Sequence, residues 1–359
     1  MTESESCVAF NLTAKIGSVG ADLLRDTHGS YSAAWENFPE KISRYDQSPV
    51  DVAREYDLAQ KLGVKIITMV DDEYPNQLKN VKGRPLALYV RGSLSALSGK
   101  FVAIVGTRRA TAYGKEQAER FAFDLAKNGF GIASGLAVGI DAAAHRGALD
   151  ANGITVGVLG GALDRFYPEK NKELARRIID NDGAVISQFP FGRHPDTTTF
   201  PMRNAVVAGM SEGILAVECP ERSGTMITVG NGLDMGKTVM ALPGRVDSYF
   251  SAGCLSLIRD GAILVRSSKD VMEALGTGIK PAQDDLLNAA NCESSKLPPV
   301  SLEESIVMRH IFEEPISIDE LTKRTGLTLQ RVNSLCMILR MKERIKFLPG
   351  NRVALPGEM

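Results

Sequence analysis

From Phe101 to Val265 the chain repeats one unit: a short apolar strand, a glycine-containing turn, and an amphipathic helix. The strands are FVAIVG (101–106), GFGIASG (129–135), ITVGVLGG (154–161), GAVIS (183–187), GILAVE (213–218), KTVMALPG (237–244) and GAILV (261–265). Helices are expected at about 114–128, 140–151 and 171–181. Strands this continuously apolar have no face to show to water, so their alternation with helices predicts a parallel sheet covered on both faces. The 34 glycines of the chain suit a fold with so many tight turns. Such sheets bind ligands outside the carboxyl ends of their strands, and candidate functional residues are sought there.

The flanks have a different character. Residues 1–65 read as a helical domain, in which Lys15 to Gly20 form a turn suited either to joining two helices or to aiming amides at a phosphate. Lys65–Val70 and Pro85–Val90 are two further strand candidates, and the sheet domain is expected to span 66–276. Residues 277–300 lose the β-branched strands and end in Pro298-Pro299, the pattern of a linker. Residues 301–359 then show helices at about 302–313, 319–325 and 328–341, with a hairpin turning at Pro349-Gly350-Asn351. Three helices and a hairpin make a winged helix-turn-helix. A length of 359 residues suits such a division, since domains run to about 150 residues each.

Several function classes fall away. Forty-two Lys and Arg against 43 Asp and Glu leave a net charge of −1, which excludes a uniformly basic molecule but not a basic groove on a neutral body. The longest stretches without a charged residue are 13 residues, 128–140 and 151–163, against about 20 for a bilayer span. Glu3 and Glu5 do not make a secretory signal. Five scattered cysteines and four dispersed histidines predict reduced thiols, no structural metal and a cytoplasmic setting.

Six segments are candidates for chemistry. In VGTRRATAYG (105–114), Gly106 and Thr107 lead into Arg108 and Arg109 just after a strand, where helix-start amides and guanidiniums attract phosphate. The spacing is not G-x-G-x-x-G and no acid ends the second strand, so a dinucleotide is not expected. Gly232 to Thr238 imitates a P-loop with one residue too few between its glycines, and leads into a strand instead of a helix; no cofactor is expected. Asp141 and His145 share a helix face, which reads as structure. GGALDRFYPEKN (160–171) mixes aromatics with Lys170, which suits either stacking on bases or a core lid. Phe200-Pro201-Met202-Arg203-Asn204 and Arg222 to Thr228 each open a helix, placing polar and basic groups on the same rim.

Together these segments resemble the DNA processing protein A (DprA, or Smf) family over about 72–266. The resemblance rests on YPNQLKNVKGRPLALYVRG, FVAIVGTRRATAYG, IASGLAVGIDAAAHRGAL, LDRFYPEKNKEL, FPMRN, VECPERSGTMIT, ALPGRV and SAGCLSLIRDGA. It implies an α/β fold: an extended Rossmann-like sheet with an N-terminal helical (SAM-like) domain and a C-terminal winged helix. It also implies non-catalytic binding of single-stranded DNA, homodimerisation and loading of the RecA recombinase during natural transformation. Arg108 matches the arginine of the family's V-G-[ST]-R motif, and Arg109 is an added flanking charge. The family's R-N-R motif stands here as Arg203-Asn204-Ala205. Glu169 occupies the place of a DNA-contacting lysine, with Lys170 beside it; Gln188 replaces a glutamate, and Val229-Gly230 departs from a usual Thr-Ala. The DNA-binding set read from these positions is Gly106, Thr107, Arg108, Arg109, Lys170, Arg203 and Asn204.

The winged helix has its own charge signal. From Leu321 to Pro356 eight cations face Glu343 alone, a net of +7. Arg331, Arg340, Lys342, Arg344 and Lys346 are read as accessory DNA contacts, with a protein-binding wing as the alternative. Two rivals remain for the whole chain. A nucleotide phosphoribohydrolase would need P-G-G-x-G-T-x-x-E, but here Glu221 and Arg222 fall on the first glycines and Thr228 on the glutamate. A winged-helix transcription regulator would need sequence-specific duplex binding.

Overall fold

The computed structural model describes all residues except 14–15, 44–47, 82, 278–301, 312–315, 343, 349–351 and 355–359. Lys15 of the first expected turn, Cys292, nearly all of the expected linker and the Pro349-Gly350-Asn351 turn therefore lie outside the described residues. Residues 1–279 form one unit and 280–359 a second.

The first unit begins with α1 (Glu3–Leu12), whose N-terminus is closed by a reciprocal Thr2–Glu5 capping box. Helices α2 (Ser18–His28), α3 (Tyr31–Asn37) and α4 (Val52–Leu62) follow. Phe10, Tyr31 and Trp35 form an apolar cluster that also takes in Leu86 from the edge of the sheet. Strands β1 (Lys65–Thr68) and β2 (Ala87–Gly92) flank the short α5 (Asn76–Lys79).

The repeated units come next. They comprise β3 (Phe101–Val105), α6 (Ala112–Lys127), β4 (Gly131–Ser134), α7 (Ile140–Asp150), β5 (Thr155–Val158), α8 (Lys172–Asp180) and β6 (Ala184–Ser187). They continue with α9 (Thr199–Met210), β7 (Gly213–Ala216), α10 (Gly224–Asp234), β8 (Thr238–Ala241), α11 (Ala252–Arg259), β9 (Ile263–Leu264) and α12 (Ser268–Ala274). Strands β3 to β7 are buried throughout, as their composition demands.

The nine strands lie in the order β1-β2-β6-β5-β4-β3-β7-β8-β9. From β3 the chain builds outward through β4, β5 and β6, then returns to the other side of β3 with β7. That reversal opens a crevice at the strands' carboxyl ends. Strands β3 to β9 are parallel, as the repeat predicts; at the edge added before it, β1 with β2, and β2 with β6, run antiparallel. The β1–β2 connection carries only the four-residue α5, too little helix for a parallel crossover. At the P-loop imitation, Gly236 (φ +68°) follows the end of α10, and the Lys237 amide donates to the Gly232 carbonyl at 2.8 Å. It is a helix stop before a strand.

In the second unit α13 (Leu302–Arg309), β10 (Ile316–Ser317), α14 (Ile318–Thr325) and α15 (Leu329–Met341) precede β11 (Lys346–Leu348) and β12 (Arg352–Ala354). The antiparallel order is β10-β12-β11. Ser317 and Thr328 cap the two helices of the helix-turn-helix, and Gly326 (φ +68°) makes the turn between them. Val307, Leu321, Val332, Leu335, Leu339 and Val353 fill the core. This is a winged helix.

Candidate functional site

The crevice is built around the turn after β3. A side chain at Gly106 would meet Ile140 Cγ1 at 2.5 Å and the Glu218 carbonyl at 2.8 Å, so only glycine lets the chain pass. The Thr107 amide donates to the Glu218 carbonyl at 2.7 Å. The Glu218 carboxylate, 4% exposed, accepts the Thr111 hydroxyl at 2.6 Å and the Thr111 amide at 2.9 Å. Thr111 in turn caps α6 by accepting from Gly114 at 3.0 Å. One residue just past the end of β7 thus pins both ends of the turn. What the turn displays is Arg108 and Arg109, both exposed. The Arg108 guanidinium lies 4.9 Å from the centre of the Phe200 ring, a favourable cation–π distance.

Beneath this turn lies a buried polar floor. Asp141, in the first turn of α7, accepts from the Gly135 and Ala137 amides at 3.1 and 3.4 Å. Arg203, 5% exposed, reaches under from α9. Its Nη1 donates to the Gly135 carbonyl and, at 2.6 Å, to the Val158 carbonyl. Its Nε donates to Asn204 Oδ1 at 3.0 Å, and Asn204 Nδ2 donates to the Gly224 carbonyl at 3.3 Å, tying α9 to the start of α10. Burial pushes the Asp141 carboxyl up and pulls the Arg203 guanidinium down to about 10, each opposed by the charge of the other.

The result is a groove of about 510 Å3. It brings together Gly106, Thr107, Arg108, Arg109, Arg203 and Asn204 with Phe200 and the Arg222–Thr225 start of α10. Arg203 belongs to its floor, with Nη1 and Nε committed to protein atoms. Lys170 is not part of its lining and stands exposed in the short 3-10 turn Glu169–Asn171. The groove offers three exposed guanidiniums, those of Arg108, Arg109 and Arg222, with an aromatic face and helix-start amides, which is chemistry for an anion joined to a planar ring.

Asp141 and His145 do not pair. His145 is fully buried, with Nδ1 2.7 Å from Thr155 Oγ1; burial and then the Arg203 charge push its pKa down to about 3. Thr228 is 3% exposed, and no carboxylate stands at the position where a phosphoribohydrolase would carry its glutamate. Sequence reasoning passed over Glu218, although an acid ending the apolar run GILAVE was a signal. It also passed over Phe200 as a platform and Gly135 as the residue that makes room for the floor.

In the winged helix, Arg331, Arg340 and Lys346 are exposed, and Arg340 lies 5.5 Å from the Phe347 ring centre. Arg344 is half-buried. Lys342 Nζ is held 2.7 and 3.0 Å from the two oxygens of buried Glu304. Among the described residues no helix is long and apolar enough to cross a membrane, and no group of three His, Cys, Asp or Glu side chains is placed to hold a metal.

Comparison with known proteins matches residues 65–276 to the family described as DNA recombination-mediator protein A, and 293–351 to the DprA winged helix domain. Protein Smf of Escherichia coli (strain K12) is 34% identical over 282 residues, covering 79% of this chain and 75% of that one. The X-ray structure of DprA from Streptococcus pneumoniae superposes with a TM-score of 0.62 at 32% identity, over 76% of this chain and 98% of that one. DprA from Helicobacter pylori, whose structure was described for its single-stranded DNA binding mode, superposes with a TM-score of 0.54 at 28% identity, over 60% and 96%.

Proposed function

The chain belongs to the DNA recombination-mediator protein A (DprA/Smf) family, and from that premise we propose that it binds single-stranded DNA in the groove beside β3, without catalysis. The observation that carries this reading is the exposed pair Arg108 and Arg109 at the groove mouth, with Arg108 stacked over Phe200. The guanidiniums take phosphates, bidentate where geometry allows. The Phe200 ring accepts an unpaired base, which a duplex does not present. Gly106 and Thr107 hold the turn, while Arg203 and Asn204 support it from below. Lys170 adds a phosphate contact at the side of the site. The same reading has the protein act as a homodimer that hands the coated strand to RecA in natural transformation. The winged helix supplies accessory DNA contacts through Arg331, Arg340 and Lys346.

Binding measured across salt tests this. Arg108, Arg109 and Lys170 on phosphates contribute about −2 to the slope of log affinity against log salt, at roughly −0.7 per contact on single strands, and the winged-helix cations add to it. Arg108→Ala with Arg109→Ala is expected to flatten the slope by about 1.4. Single strands are expected to outcompete duplex. An unchanged slope in the double variant would remove the groove from consideration.

A further inference from the structure

We infer that the groove is not the end of the site: the strand continues across Tyr167, and one unpaired base enters the pocket beside α8. The inference rests on the single-strand reading above and extends it to a separate nucleobase subsite.

Two cavities and one aromatic step carry it. Phe200 lines the groove and also a small cavity that it shares with Arg108, Arg203 and Tyr167. Tyr167 in turn lines a second, larger pocket of about 970 Å3. The Phe200 and Tyr167 ring centres are 6.2 Å apart and tilted by 51°. Tyr167 is 51% exposed, so the ring is open to a ligand as well as packed near its neighbour. The two rings thus form a path from the guanidiniums of the groove to the pocket, on a scale that successive stacked bases can follow.

The chemistry of the pocket selects a base over a phosphate. Its wall is apolar, with Leu163, Phe166 and Ile179. Three of its arginine and lysine side chains are matched by acids: Arg165 with Asp164 at 3.5 Å, Lys172 with Glu169 at 2.9 Å, and Arg176 with Glu173 at 3.5 Å. The other, Arg91, donates to the Leu62 carbonyl at 2.9 Å. A region so nearly balanced offers phosphate little net attraction, whereas an apolar cavity with an aromatic edge takes an uncharged planar group. Lys170, exposed three residues past Tyr167, is left to meet the backbone outside. A paired base cannot turn into the pocket without losing its partner, so this subsite adds to the preference for single strands.

The test uses the full chain with oligothymidines of about four and about twelve nucleotides, the longer one also with single abasic positions. Tyr167→Ala is expected to weaken the longer strand about tenfold and leave the shorter unchanged, with Tyr167→Phe restoring the loss. One abasic position is expected to cost affinity in the natural protein and nothing in Tyr167→Ala. Equal effects on both lengths, no effect on either, or an abasic profile unaltered by the substitution would overturn the subsite. Arg108→Ala separates the two readings. If it weakens both lengths while Tyr167→Ala weakens neither, the groove stands and the pocket falls. If it weakens neither, the groove reading itself fails and the subsite with it.

Discussion

The guanidinium of Arg203 fills the space that a side chain at Gly135 would occupy, with the Asp141 carboxylate at its edge. Arg203 thereby replaces a side chain of the β4 turn and satisfies carbonyl oxygens at the ends of two neighbouring strands. Gly135→Ala is expected to lose about 2 kcal/mol of stability through overpacking, read by urea unfolding. Arg203→Ala takes the donor from both carbonyls and the compensating charge from buried Asp141, and is expected to cost about 3 kcal/mol. A fall in DNA affinity in Arg203→Ala is therefore interpretable only beside its unfolding curve, whereas Arg108→Ala, at an exposed position, needs no such correction.

Glu218 is the second residue on which the groove depends without touching a ligand. Its carboxylate orients Thr111 and its carbonyl orients Thr107, so the two arginines between them are presented in one place. Glu218→Ala removes two hydrogen bonds to a buried carboxylate, an expected loss of about 2 kcal/mol, and loosens the arginine turn. Glu218→Gln keeps an acceptor for the Thr111 amide. The expected order of single-strand affinity is natural protein, then Glu218→Gln, then Glu218→Ala; an equal affinity in all three would mean the turn holds itself.

His145 sets a pH dependence. In the unfolded chain it takes a proton near pH 6.5, but in the folded one only near 3. Between those values the unfolded state binds more protons, so its contribution to stability is present above about pH 6.5 and is lost as the pH falls towards 3. Burial is the main cause, with the nearby Arg203 charge adding to it. His145→Gln, which does not titrate, is expected to show a shallower loss of stability across that window in thermal unfolding. Parallel pH profiles would contradict the assignment.

How much of this was legible beforehand follows from where the information sits. The strands were legible because fully buried runs such as FVAIV and GILA admit no other placement. Arg108 and Arg109 were legible because a strand end followed by a helix start is a local pattern. The burial of Arg203 was not, because its acceptors are backbone oxygens 68 and 45 residues away, and a backbone atom leaves no mark in a sequence. The antiparallel edge was hidden for the same reason, since strand direction is decided by packing rather than by composition. Phe166 and Tyr167 carried ambiguous signals: an aromatic beside cations suits a lid as well as a stacking platform.

The winged helix shows the same limit in a single pair and leads to a further prediction. Counted along the chain, Lys342 is one of eight cations available to DNA; in the fold it is 19% exposed and locked to Glu304, 5% exposed and 38 residues away. Breaking a buried pair from one side strands the other charge, at a cost of about 3 kcal/mol. Lys342→Ala is therefore expected to lower the unfolding midpoint of the winged-helix unit, and Lys342→Ala with Glu304→Gln to recover part of the loss. Lys346→Ala, at an exposed position, is expected to leave that midpoint alone and reduce the salt dependence of DNA binding. Calorimetry and salt titration on the same four proteins divide the charge of the domain into the part that holds it together and the part that faces outward.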